Sequence, residues 1–269
     1  MANRKLMAGG THMATGNAAV KCGVARKLEL ESLEARIAPA GMVSVEVVSG
    51  TLVVTGDDLD NVITIDQAGL APGEYRIEGF DGTAVGMGTA VTVAGVTKGI
   101  TLKMGGGHDD VEFSALTIAG PVVFEGGDGD NELGATATTV GGAVTIKNGD
   151  GYARIRLDAS ITGNLAITNG DGGSDIRVLA PVGGKIAVKC GTGDDAFLLR
   201  TSTGGKVDLN FGAGAGNVDI GANIGGALTV KMLDGLLGVS LLTVEVGKVS
   251  IAHGAGNSLF DIPDANING

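Results

Sequence analysis

The chain has no Trp, two Tyr and six Phe among 269 residues. Any core must therefore be aliphatic, and few flat rings exist on which sugars or nucleobases could stack. Two cysteines, Cys22 and Cys190, are too few for a disulfide framework. Proline is scarce at five, and glycine keeps no every-third-residue register, which excludes collagen. Basic residues are also few, 19 against 30 acids for a formal charge of -11, and no stripe of Lys and Arg offsets that balance. A phosphate backbone would be repelled, so nucleic acid is not an expected partner. No apolar run approaches the ~18–20 residues that span a bilayer as a helix, so the chain is not expected to be transmembrane. Residues 1–27 carry five Lys/Arg and no acid, but lack the continuous apolar centre of roughly 7–15 residues that marks a secretory leader.

What the chain does have is 49 glycines, 43% hydrophobic residues and a repeat. From residue 98 onward it divides into near-copies of about 21 residues each. The first apolar residue after each glycine pair recurs at Ile100, Val122, Val144, Leu165, Ile186, Val207, Leu228 and Val249, the first two intervals being one residue longer than the rest. The residue two beyond is again apolar, as in Leu102, Phe124 and Ile146, which is the period-2 alternation of a strand with one buried face. A second strand obeys the same rule eleven and thirteen beyond the anchor, as at Val111 and Phe113 or Ile176 and Val178. A third inward position lies four before the following anchor: Ile118, Val140, Ile161, Val182, Thr203 and Ile224.

Three short strands per copy predict an all-β fold, a single-stranded parallel β-helix or β-solenoid. One such coil cannot bury its inward side chains alone, but coils stacked at ~4.8 Å supply one another's core. GTLVVTGDDLDNVITI, with Leu52, Val54, Ile63 and Ile65, fits the spacing as an earlier full coil, with Val48 as its third inward point. Counting a longer coil or insertion between Tyr75 and Val96, with an anchor at Tyr75, gives ten coils and a rod of roughly 50 Å. Residues 42–269 are thus expected to form the solenoid, and residues 1–41 a separate segment. In that segment Leu30, Leu33 and Ile37 have the spacing of a short amphipathic helix, one able to cover the N-terminal edge.

Several columns are candidates for chemistry. Four residues beyond the anchor run Met104, Gly126, Asn148, Asn169, Cys190, Phe211, Met232 and His253, predicting an internal amide ladder at Asn148 and Asn169. Cys190 and His253 are three coils apart, too far for a nucleophile and its base. In the first corner acids stack: Asp58, Asp128, Asp150, Asp171 and Asp234, with Asp60, Asp130 and Asp194 two residues later. Such a stack needs turn amides or a cation to offset its repulsion, and calcium, which accepts several oxygens in flexible geometry, is the candidate ion. Asp58, Asp60, Asp128, Asp130, Asp150, Asp171 and Asp194 are the candidate ligands, while the same residues are also ordinary turn chemistry. On the second strand Glu132, Arg154 and Asp175 form an outward column of alternating charge beside Glu112, Arg156, Arg177 and Asp219. The expected use is lateral ion pairing, or a shallow anion or acidic-sugar site at Arg156 and Arg177.

The Gly/Asp-rich pieces GDGDN (residues 127–131) and GTGDD (191–195) are similar to the calcium turns of RTX proteins, although they recur once per copy of this longer repeat instead of every nine. LESLEARIAPA, Leu30 to Ala40, resembles the LE-x-LE-x-R-x-x-PA segment near the N-termini of large repeat-rich surface proteins of planctomycetes and verrucomicrobia, the LEPR-XLL-like group. That resemblance implies export and an extracellular or cell-surface location. The functional expectation is a non-enzymatic structural or surface protein, calcium-stabilised and associating end to end as a homo-oligomer or filament, in contact with cell-envelope polysaccharide. The last coil motivates the association, because no polar cap is evident after its apolar anchors. The alternative is an adhesin or carbohydrate-binding module with Tyr75 and Tyr152 as platforms. A β-helical polysaccharide lyase would need long groove-building loops, and the longest departure from the repeat is Tyr75–Val96.

Overall fold

A computed structural model describes residues 41–242, 244–263 and 266–267. These residues form strands and turns with no helix, and the strands stack in parallel about 21 residues apart as a β-solenoid of about eight turns. The short helix expected near residues 28–37 lies outside the described residues.

The alternating pattern of the sequence becomes the register of the stack. On the first face Ile100 pairs with Val122, then Val144, Leu165, Ile186, Val207, Leu228 and Val249 follow, each directly above the last. The second face stacks Ile63, Val111, Leu133, Ile155, Ile176, Phe197, Val218, Val239 and Phe260. The third face is the narrowest, reduced for several rungs to single bridges joining Ile161, Val182, Thr203 and Ile224. Inward residues are sealed almost completely: Ile100, Leu165, Ile176 and Ile186 are 0% exposed. Buried Thr203 keeps its hydroxyl satisfied by donating to the Gly205 carbonyl at 2.9 Å. The core is one continuous aliphatic column because every rung has the same three inward faces.

The N-terminal part departs from the expected coil count. Leu52 and Val54 stack directly on Ile100 and Leu102, so no coil is anchored at Tyr75. Nine stacked anchors remain of the expected ten, joined by about eight turns, and the rod shortens to roughly 40 Å at the usual inter-strand spacing. The intervening residues make a lid instead. We label the strands of this region β1 (Met42–Val48), β2 (Thr51–Thr55), β3 (Val62–Asp66), β4 (Tyr75–Phe80), β5 (Ala84–Val85) and β6 (Ala90–Val93). β2 and β3 belong to the first rung. β1 pairs antiparallel on the outer edge of β2, and β4 antiparallel on the outer edge of β3 with β6 beyond it.

The local cause is turn chemistry. Ser49 and Gly50 both have positive φ, 51° and 84°, the two-residue turn that reverses a strand onto its neighbour. Val48, expected to point inward, is therefore 48% exposed on the far side of that turn. Tyr75 is 2% exposed and its hydroxyl donates to the Thr117 carbonyl at 2.9 Å, so it is part of the lid's core and offers no platform. At the opposite end the strand Glu245–Asp261 has its preceding rung on one side and, among the described residues, only Asn266–Ile267 on the other.

Because each inward side chain fills space between its two stacked neighbours, Ile167→Ala, between Ile146 and Val188, is expected to cost about 2–5 kcal/mol. Outward Lys189→Ala should stay within about 0.5 kcal/mol. Chemical denaturation of the two variants checks this.

Candidate functional site

The first corner, where each rung passes from its first to its second face, collects the acids. All seven candidate ligands are exposed there. Asp128, Asp150 and Asp171 occupy successive rungs, the third to the fifth; Asp58 and Asp60 lie on the first, Asp130 on the third and Asp194 on the sixth.

Five of the seven, Asp60, Asp130, Asp150, Asp171 and Asp194, turn their carboxylates along the rod axis onto a backbone amide of the following rung. Asp60 Oδ1 accepts from the His108 amide at 2.7 Å, Asp130 Oδ1 from Tyr152 at 2.7 Å, and Asp194 Oδ1 from Ala215 at 2.7 Å. Asp150 Oδ1 accepts from the Asp171 amide at 3.3 Å, and Asp171 Oδ1 from Thr192 at 2.9 Å. Asp234 does the same for Ala255 at 2.7 Å. The glycine that precedes the corner residue makes room for this staple: a Cβ on Gly170, before Asp171, or on Gly191, before Thr192, would lie 2.3 or 2.1 Å from Oδ1 of Asp150 or Asp171 in the rung before. Neither glycine has positive φ. The recurrent Gly-Asp pair is thus an interlock in which one rung's carboxylate fills the volume left by the next rung's missing Cβ. Turn amides offset part of the charge repulsion. Among the described residues no three His, Cys, Asp or Glu side chains converge as a metal-binding group.

The outward columns of the second face carry ion pairs. Arg154 meets Glu132 of the preceding rung at 3.2 Å, as expected from alternating charge. Arg177 is instead held by Asp175, two residues away on its own strand, through two contacts of 3.0 and 2.8 Å. Arg200, absent from the expected columns, clamps Asp219 at 2.8 and 2.6 Å. Arg156 and Arg177 are register neighbours. They share a shallow groove of about 250 Å³ with Glu132, Arg154 and Asp175. A larger groove, about 560 Å³ and mainly apolar, follows the corner toward the C-terminal rungs beside Tyr152, Asp194, Leu236 and Leu259.

Inside the corner the expected amide ladder is present: Asn148 Nδ2 donates to Asn169 Oδ1 at 2.9 Å, and Asn169 Nδ2 reaches Cys190 Sγ at 3.8 Å. Burial pushes the Cys190 thiol up to about 12, so it is a poor nucleophile.

A second buried polar column, nine residues beyond the anchor, was not anticipated. It runs Asn61, Asp109, Asn131, Ala153, Ser174 and Asp195. Extending the second strand's alternation back by two residues would have found it, since positions 9, 11 and 13 share one face. Asn61 and Asn131 fold their Nδ2 groups onto carbonyls of their own corner, Leu59 at 2.7 Å and Gly129 at 3.1 Å. Ser174 donates to Asp195 Oδ1 at 2.7 Å, and burial raises the Asp195 pKa.

Compared with protein-family models, with curated proteins and with solved structures, the chain matches none. Its chemistry is therefore read from geometry alone.

If the corner acids act as staples, Asp171→Asn, which keeps Oδ1, should melt within about 0.5 kcal/mol of the parent. Asp171→Ala should lose about 1 kcal/mol. Equal losses for both in calcium buffer, recovered in neither by chelation, would favour the carboxylate charge over the staple.

Proposed function

We propose that the protein is a non-enzymatic structural rod that associates with a second copy through its C-terminal rung. The observation that carries this reading is the asymmetry of the two ends. Antiparallel strands β1 and β4 cover the first rung, whereas among the described residues the outer edge of the strand Glu245–Asp261 is paired only at Asn266–Ile267. Large apolar side chains are exposed around that end, among them Leu233, Leu236, Leu259, Phe260 and Ile262, with Leu259 71% exposed. The two copies meet open end to open end, which closes as a two-fold dimer.

The resemblance of residues 30–40 to the surface-protein segment supports a place at the cell envelope. Calcium would act as an accessory along the corner, through carboxylate oxygens left over from the staples. A carbohydrate-binding role is the second reading, favoured by the groove beside Tyr152, whose ring is 39% exposed.

Light scattering on size-exclusion fractions over a concentration series tests the leading reading. A dimer is expected, weakened at least tenfold by Leu259→Glu at the open end and unchanged by Phe80→Glu on the lid. A monomer at every concentration would overturn it.

A further inference from the structure

Asp109 is the buried carboxylate of the second rung, 0% exposed. Its Oδ1 accepts twice from Asn61 of the rung before, from the backbone amide and from Nδ2, both at 3.0 Å. Its Oδ2 has no partner. The rung after places Asn131 in register with it, and Asn131 Oδ1 is buried without a partner as well. Asn61 Oδ1 and Asp195 Oδ2 of the same column also lack a donor, but Asp109 Oδ2 and Asn131 Oδ1 are the two on adjacent rungs of which one, as a carboxyl oxygen, can carry a proton for the other.

The rungs around it show what the column requires. Asn61 uses Nδ2 to donate forward to Asp109 Oδ1 while also satisfying the Leu59 carbonyl. In the other polar column, four beyond the anchor, Asn148 likewise donates forward to Asn169. At Asp109 the atom in the donor's place is an oxygen. An ionised carboxylate there would set a buried charge against the lone pairs of its neighbours, with no ion pair to either of its oxygens among the described residues.

We infer that Asp109 is a neutral carboxylic acid in the folded rod, its proton on Oδ2 and donated to Asn131 Oδ1, so that this rung joint is a pH-sensitive latch. One proton supplies the missing donor and leaves the stack uncharged. Burial, the largest cause, pushes the Asp109 acid up to about 7, against ~3.9 in an unfolded chain. Asp60 in the rung before raises it further, while the Asn61 hydrogen bonds and neighbouring His108 lower it; Asn131 in the rung after is uncharged. Between these two values the folded state binds more protons than the unfolded one. The stabilisation is fully present below about pH 4 and is lost as pH rises through about 7. Asp195, the other buried acid of the column, differs: its register neighbour Gly216 has no side chain to receive a proton.

Thermal melts of the full-length chain from pH 5 to 8.5 test the latch. The parent should lose on the order of 5–10 °C across that range. Asp109→Asn supplies a permanent donor and should remove most of that loss, melting above the parent at pH 8.5. His108→Gln should keep the parent's slope. An Asp109→Asn variant with the parent's slope, or a His108→Gln variant without it, would overturn the inference. Should Asp109→Asn fail to fold, infrared spectra of the parent decide: a protonated-carboxyl stretch at pH 5.5 that vanishes by pH 9 is expected, and its absence at pH 5.5 would overturn the inference.

Discussion

Rung-on-rung register is the constraint on which the rest of this structure depends. A strand with one buried face has nothing to bury it against within a single turn of the repeat. Stacked at ~4.8 Å on a copy of itself, it gains both its hydrogen bonds and its core at once. Scarcity of aromatic side chains follows from this, because an interior three narrow faces wide is filled by Val, Ile and Leu, with Phe124, Phe197 and Phe211 fully buried at individual rungs.

The same register dictates how polar groups are managed. Any side chain placed in a column meets its equivalents above and below, so polar residues are satisfied along the rod axis. Asn148 bonds Asn169, Ser174 bonds Asp195, and the corner aspartates bond the next rung's amides. Like charges brought together by repetition are tolerable only where a donor separates them. The corner satisfies this with backbone N–H groups, and the buried column with amides, a hydroxyl and, by our inference, a proton.

The regular array was legible in the sequence because every anchor from Ile100 to Val249 repeats one rule, and a rule stated eight times survives local noise. Leu52 and Val54 obeyed it too. What failed was Tyr75, an apolar residue at a plausible interval. The deciding signals were the Ser49-Gly50 and Asp81-Gly82 pairs, both with positive φ, which reverse the chain and turn an apparent coil into a lid. The acid column was visible, but its carboxylates' direction was not. Whether Asp171 faces solvent or the Thr192 amide depends on the missing Cβ of Gly191, a relation between residues on different rungs. Arg177 illustrates the same limit: expected in one column with Asp219, it is held by Asp175 on its own strand, while Arg200 takes Asp219.

Excision of one complete rung tests the stacking most directly. Deleting residues 165–185 removes one whole period and brings Ile186 onto Val144, restoring every column. Deleting only residues 165–174 shifts the inward positions against their neighbours. The account predicts that the first variant folds cooperatively with a strand-rich circular dichroism spectrum like the parent's, while the second does not fold. Equal tolerance of the two deletions, or loss of the fold in the whole-rung excision alone, would contradict it.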